Sequence, residues 1–204
     1  MGTFPLPILP NVPWRHLKKS QDAYFGAPRS GGFPVHGACD LIVPTGTKVL
    51  AVQHGTIIRK YSFVTYTNKD AVTNAVTCQS TTWAIDVQHD DFVARYAEID
   101  PVLPNGLDGR VLGAGSEVQE GQEIAKVGFQ CGNSMLHFEM FKDRTRITEY
   151  LTNGSHSTKY ANVPQANYER RDDLIDPTPY LDMWSWDLRQ KLHRVMDLSF
   201  EIDD

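Results

Sequence analysis

The sequence predicts a single, mostly β domain with an irregular N-terminal arm and one C-terminal helix. Short runs rich in β-branched residues recur between turn signals from residue 41 to residue 127. Residues 135–141 show the clearest period-2 alternation in the chain, which is typical of a strand. Near the C-terminus, over residues 184–196, apolar side chains recur at the spacing of a surface helix.

The turns separate the individual strand predictions. Turn signals lie at Pro44–Gly46 and Gln53–Gly55, and a short turn follows residue 88. The predicted strands are 41–43, 48–52, 56–58, 83–88, 92–97, two short pieces within 118–127, and 135–141. Residues 64–82 are polar and rich in Thr and Asn, which predicts either a long loop or a ragged hairpin. Residues 143–170 lack apolar periodicity and are interpreted as an insertion.

Charge and composition exclude several classes of protein. The net charge is −5 and the pI about 5.8, so a protein that mainly binds DNA or RNA is not expected, because phosphate neutralisation needs a basic surface. No apolar run approaches the roughly 20 residues of a transmembrane helix. Prolines at positions 5, 7, 10 and 13 interrupt the apolar N-terminus. We therefore expect no recognisable signal peptide.

Three cysteines are too few for a disulfide scaffold. Cys78 and Cys131 fall in loop-like segments and are candidates for a pair. Cys39 lies at the start of a predicted strand and is expected to be a small buried residue.

The first candidate ligands of a metal are His36 and Asp40. On a regular strand, side chains four residues apart would lie about 13 Å from each other, whereas zinc needs its donors about 2.0–2.2 Å from the ion. His36 must therefore lie in the loop before the strand, and Gly37 lets the chain curl back. By itself this pattern often occurs by chance.

The third candidate ligand is His137, within the strand 135–141. Leu136, Phe138 and Met140 share one apolar face, which should point into the core. His137 and Glu139 then face outward toward a groove, where Glu139 can orient the histidine. The alternative for a lone strand histidine is a simple pair with a nearby carboxylate.

Several segments together resemble the lysostaphin-like M23 family of zinc peptidases over residues 25–181. The resemblance implies an antiparallel β-sheet with a groove, and a Zn²⁺ ion bound by His36, Asp40 and His137. No repeat and no linker divides the sequence, which predicts one domain over 1–204, with an arm at 1–24, a core at 25–181 that contains the insertion, and a helical tail at 182–204. The matching segments are Phe25–Arg29, His36–Val49 with Gly55, Val118–Gly128, Leu136–Glu139 and Asp176–Leu181.

Two positions depart from the pattern of this family. Met135 and Glu98 stand where the resemblance leads us to expect the two catalytic histidines. A thioether does not titrate, so Met135 cannot carry protons. Glu98 can act as a general base, as carboxylates do in other zinc peptidases. The alternative is a structural glutamate paired with Arg95 or Arg29; Arg29 is also a candidate neighbour of the ligands, together with Glu139.

The resemblance implies a zinc metalloendopeptidase that cleaves peptide cross-links of bacterial peptidoglycan. The segment Arg170–Thr178, together with the two substitutions, is similar to an M23 subgroup of type VI secretion effectors. Such an effector would be exported without a signal peptide, would act in the periplasm or cell wall of target bacteria, and would require an immunity protein as partner. The alternative is a catalytically inactive, zinc-binding domain that uses its groove for binding.

Overall fold

A computed structural model describes residues 2–15, 22–28, 36–142, 157–159, 169–171 and 173–200 of the 204-residue chain. These residues form eleven strands and one helix. The elements are β1 Cys39–Ile42, β2 Lys48–Leu50, β3 Gly55–Lys69, β4 Val76–Gln88, β5 Val93–Ile99, β6 Glu117–Val118, β7 Glu123–Lys126, β8 Met135–Phe141, β9 Ser157–Lys159, β10 Glu169–Arg171, β11 Leu174–Ile175 and α1 Thr178–Phe200.

The main sheet has seven antiparallel strands and curls into a half-barrel. This confirms the predicted mostly β fold. Its strand order is β1-β8-β5-β4-β3-β6, and β11 also pairs with β8. Strand β8 is central: β5 lies along one side, while β1 and then β11 share the other side. Strands β2 and β7 form a second, two-stranded sheet, and β9 pairs with β10.

The two faces of β8 have different chemistry, as its alternating sequence predicts. Leu136, Phe138 and Met140 are fully buried in the hydrophobic core. Their burial removes apolar surface from water, which stabilises the fold by about 25 cal/mol for each Å² buried. The opposite face carries His137 and Glu139, so the packing of the apolar side chains fixes where these two polar residues point.

The N-terminal arm is irregular, as predicted, and it is also part of the core. Phe4, Leu6 and Trp14 are buried in the same cluster as the apolar face of the sheet. The backbone of the arm lies beside the segment that contains β2: Thr3 N donates a hydrogen bond to Val52 O at 2.8 Å. The repeated prolines prevent a helix here but still allow burial of the apolar side chains between them.

Residues 64–82 belong to a hairpin, which decides between the two structures that the sequence allowed. Strands β3 and β4 pair over most of their length, with register shifts that explain the ragged pattern. The hairpin extends past the end of β5. A disulfide joins Cys78 of β4 to Cys131, in the loop before β8, which confirms the expected pair. Cys39 is free and buried, as expected.

The C-terminal helix begins at Thr178, before the predicted tail at 182–204 and before the apolar spacing that starts at Trp184. The prediction was wrong at this end because Asp176–Leu181 was assigned to the core, although proline is well tolerated in the first helical turn. Asp176 Oδ1 accepts a hydrogen bond from Thr178 N at 2.8 Å near this end. Trp184 attaches the helix to the core, where its ring packs against Phe138.

Most of the interpreted insertion at 143–170 lies outside the described residues, apart from the β9–β10 pair. Among the parts of the chain that the structure describes, no helix is both long and apolar enough to cross a membrane.

We expect Trp184→Ala to reduce the free energy of unfolding by about 3–5 kcal/mol, because the change leaves a large cavity in the core. Trp184 is 1% exposed, whereas Trp186 is 63% exposed on the same helix. Trp186→Ala is the matched control and should change the free energy by less than about 0.5 kcal/mol. Urea unfolding followed by circular dichroism measures both. Equal effects of the two substitutions would contradict this account of helix docking.

Candidate metal centre

The three predicted ligands converge because β1 and β8 are neighbours in the sheet. Asp40 and His137 are direct cross-strand partners, so their side chains leave the sheet on the same face. His36 lies in the loop immediately before β1, where the sequence placed it, and this lets its ring return over Asp40. All three side chains are buried.

The distances between the three donor atoms match the dimensions of a small metal site. His36 Nε2 lies 3.1 Å from Asp40 Oδ1 and 3.4 Å from His137 Nδ1. His137 Nδ1 lies 2.8 Å from Asp40 Oδ1. Donors at the corners of a tetrahedral zinc site lie about 3.3 Å apart, given bonds of about 2.0–2.1 Å. Among the described residues, these three form the group of His, Cys, Asp and Glu side chains able to hold a metal ion.

Each histidine contacts a hydrogen-bond acceptor through its other ring nitrogen. His36 Nδ1 lies 3.0 Å from Tyr24 O, and His137 Nε2 lies 2.9 Å from Glu139 Oε1. If both nitrogens donate, the neutral rings present their lone pairs at His36 Nε2 and His137 Nδ1, directly beside the Asp40 carboxylate. Three acceptors that face one another repel unless a cation lies between them. The donor set therefore fits a metal ion.

A buried chain of charged groups extends from the site into the domain. Glu139 Oε2 accepts a hydrogen bond from Arg95 at 2.9 Å, and Arg95 also binds Asp86 at 2.8 Å. Two arginines face these carboxyl groups: Arg95 lies between Glu139 and Asp86, and Arg59 is the cross-strand partner of Asp86. A cation at the candidate ligands would face the carboxylate of Asp40 at the other end of this chain, which would offset the cost of burying that charge.

The predicted outward orientation of His137 and Glu139 was wrong. Glu139 is completely buried and His137 is only 7% exposed. A side chain of β3 reaches over the polar face of β8: the ring of Phe63 lies 5.5 Å from that of His137. Alternation shows which residues share a face, but it does not show what covers that face.

Two small residues make room for Phe63. Ala97 of β5 is the cross-strand partner of His137, and Ala84 of β4 is the partner of Ala97. Both alanines are buried, and their small side chains leave room for side chains of β3 on this face. Nothing in the predicted strand pattern marked Phe63 as part of the site. A usable signal was the pair of alanines at strand centres, where larger β-formers are usual.

The network favours positive charge at His137. Burial lowers the pKa of His137, but the hydrogen bonds to Asp40 and Glu139 outweigh it and raise this pKa to about 10. Burial also raises the pKa of Asp40. The hydrogen bonds from His137 and His36 more than reverse that effect and hold the pKa of Asp40 well below its usual range. The site therefore attracts a cation, whether a proton or a metal ion.

Glu98 occupies a β-bulge at the end of β5. Ile99 and Ala97 pair with the adjacent residues Trp83 and Ala84, so Glu98 is the extra residue between them. Its φ is +65°, a conformation that non-glycine residues rarely adopt. Glu98 is 4% exposed, and its Oε1 accepts a hydrogen bond from Tyr66 Oη at 2.5 Å.

The structure describes one of the two arginines that the sequence suggested as structural partners of Glu98. Arg95 pairs with Asp86 and Glu139, on the face of β5 that includes Ala97. Tyr66 of β3, which the sequence did not suggest as a partner of Glu98, contacts it. The suggested neighbour Arg29 lies outside the described residues. Met135 begins β8 and is half-buried.

The family model of Peptidase family M23 matches residues 34–149, more than half of the chain. The protein therefore belongs to the M23 peptidase family. The matched region contains all three candidate ligands and Glu98.

Several solved structures are similar to this chain at low sequence identity. Helicobacter pylori Csd3 is 20% identical over 69% of this chain, with a TM-score of 0.39, and this chain spans 30% of its length. A mutant catalytic domain of the prophage-encoded M23 protein EnpA from Enterococcus faecalis is 18% identical over 58% of this chain and 76% of its own, with a TM-score of 0.35. The protein cbpa from L. salivarius REN is 15% identical over 80% and 90% of the two chains, with a TM-score of 0.42. Among curated proteins, none matches.

Metal binding should release about one proton at pH 8. Because the pKa of His137 is about 10 without metal, the ring is protonated at this pH and must lose a proton to become a ligand. Calorimetric titration with Zn²⁺ in buffers of different ionisation enthalpy measures the release. The apparent affinity should rise about tenfold per pH unit between pH 7 and pH 9. A histidine of ordinary pKa would release almost no proton at pH 8, and that result would contradict the account.

Proposed function

We propose that this protein is a zinc metalloendopeptidase that cleaves the peptide cross-links of bacterial peptidoglycan. One observation carries the proposal: two imidazole nitrogens and a carboxylate oxygen meet within 3.4 Å of one another, each histidine oriented by a partner behind it. Two His and one carboxylate are the protein ligands of several catalytic zinc sites, which keep one position open.

The chain supplies the ligands His36, Asp40 and His137. When bound there, Zn²⁺ provides a Lewis acid that polarises a carbonyl and lowers the pKa of water. Glu139 and Arg95 have a supporting role. Glu139 holds the ring of His137 by the hydrogen bond to Nε2, and Arg95 holds Glu139 ionised by an ion pair from the other side.

Glu98 acts as the general base in this proposal. The support is its position in the sheet: Glu98 follows Ala97, the cross-strand partner of His137, on the strand adjacent to the candidate ligands. The carboxylate takes a proton from the attacking water and returns it to the leaving amine, so that the group is regenerated at the end of each turnover. A carboxylate thereby performs the work for which the family pattern leads us to expect a histidine.

A second function has some support. Met135 carries no titratable group, and Glu98 is buried and engaged by Tyr66, which also fits a glutamate of purely structural role. In that case the protein is a catalytically inactive M23 domain that retains the metal and binds a wall peptide or a protein. Hydrolysis assays on the variants below distinguish the two functions.

We further propose delivery as an antibacterial effector of the type VI secretion class. The support is the resemblance of Arg170–Thr178 and of the Glu98 and Met135 substitutions to that subgroup. The disulfide fits action in an oxidising compartment such as the periplasm. A producing cell would then need an immunity protein that covers the metal site.

Glu98→Gln should abolish cleavage and leave zinc binding unchanged. The amide keeps the size and hydrogen-bonding capacity of the side chain but cannot take the proton, so kcat should fall at least about 100-fold. Zinc content by atomic emission and turnover of a cross-linked muropeptide are the two measurements. Asp40→Ala is the matched control that loses zinc and turnover together. Turnover near the wild-type rate in the Gln variant would remove Glu98 from the mechanism.

Purified, zinc-loaded protein should convert cross-linked muropeptides of isolated sacculi into monomers. Mass spectrometry of the soluble fragments identifies the bond that is cut. Asp40→Ala should leave the sacculi intact, because the carboxylate ligand is missing. Unchanged sacculi with zinc bound would favour the inactive binding domain and would contradict the proposed peptidase.

A further inference from the structure

The hydrogen bond between Tyr66 and Glu98 joins two strands that are not neighbours. Tyr66 lies on β3 and Glu98 on β5, with β4 between them. Two strand spacings amount to about 9.6 Å, which the two side chains can bridge only if both extend over the same face of β4. The distance from Tyr66 Oη to Glu98 Oε1 is 2.5 Å, in the range of a strong, charge-assisted hydrogen bond.

Regular alternation would not bring the two groups together. Ala97 faces the metal site, since it is the partner of His137, so an unbulged residue 98 would face the core beside Tyr96. The bulge and the positive φ of Glu98 interrupt this alternation. A non-glycine residue rarely adopts this conformation, which persists only where its surroundings hold it.

The part of the hairpin that carries Tyr66 is held by a separate set of contacts, which we call the clamp. Its centre is the disulfide between Cys78 and Cys131. On either side, Asn68 Nδ2 donates to Cys131 O and Ser80 Oγ donates to Phe129 O, each at 2.7 Å. Ser80 is the cross-strand partner of Tyr66, so the clamp fixes the strand opposite the tyrosine.

We propose that Tyr66 is a positioning residue for Glu98, and that the Cys78–Cys131 clamp holds the hairpin so that Tyr66 can reach it. The hydrogen bond restrains rotation of the Glu98 carboxylate and thus orients the base. The role in turnover rests on the proposed function, whereas the coupling of Tyr66, Glu98 and the clamp does not. Because disulfides open in reducing compartments, the arrangement also makes the site depend on oxidation of the protein.

The first test compares Tyr66→Phe with the wild type in the full, zinc-loaded chain. The substitution removes one hydroxyl and keeps the ring. Tyr180→Phe is the matched control. Tyr180 lies in the C-terminal helix, and its ring packs against those of Phe92 and Trp184. With carboxyl-¹³C-labelled glutamate, the Glu98 resonance is assigned by its absence in Glu98→Gln. We expect this resonance to shift in Tyr66→Phe and to stay in place in Tyr180→Phe.

Turnover provides the second measurement. On a cross-linked muropeptide, Tyr66→Phe should lower kcat about 10- to 100-fold with KM and zinc content unchanged, as for other residues that orient a reacting group. A residue with a merely structural role would lower the melting temperature without this separation of kcat from KM. Tyr180→Phe should retain the wild-type kcat.

The clamp is tested by Cys78→Ser and, without substitution, by reducing the wild type with a phosphine. Each should shift the Glu98 resonance in the same direction as Tyr66→Phe and lower kcat at a temperature where the protein stays folded. An unmoved Glu98 resonance in Tyr66→Phe, or in both clamp experiments, would overturn the proposal. If the wild type cleaves nothing, the peptidase proposal fails, and the resonance alone decides whether Tyr66 positions Glu98.

Discussion

The cross-strand pair of Asp40 and His137 is the contact on which the rest of the site depends. It places a carboxylate and an imidazole side by side in a ladder whose register is fixed by the apolar residues on the other face of β8. A slip of one residue would turn both polar groups into the hydrophobic core and turn Leu136 and Phe138 toward the face that carries the candidate ligands. The free energy of core packing therefore also holds the candidate ligands within bonding distance of one ion.

Burial of charge is the second constraint on this part of the domain. Asp40, Glu139 and Asp86 are nearly or completely inaccessible, Arg95 pairs with Glu139 and Asp86, and Arg59 lies opposite Asp86 in the sheet. Such a network is costly unless every member is paired. A cation bound beside Asp40 would extend this pairing to the candidate ligands. The orientation of His137 and the stability of the sheet therefore both depend on how these buried charges are paired.

The hairpin β3–β4 links that network to the candidate base. Phe63 covers His137 from one part of the hairpin, and Tyr66, three residues later, engages Glu98. Because the outer part of the hairpin extends beyond β5, the sheet alone does not hold it, and the disulfide with the loop before β8 supplies the missing restraint. The covering of the metal site and the placement of Glu98 therefore depend on the same hairpin.

The sequence by itself determined the mostly β class, the strand β8 with its apolar face and the loop position of His36. These follow from local periodicity and from side-chain chemistry, whereas the set of three candidate ligands came from the resemblance to the M23 family. Only the tertiary structure decided that β3 buries His137 and Glu139, that Arg95 pairs with Glu139, and that a bulge turns Glu98 toward Tyr66. Each of these depends on contacts between strands far apart in the chain or on one backbone torsion, and neither periodicity nor residue type specifies such long-range geometry.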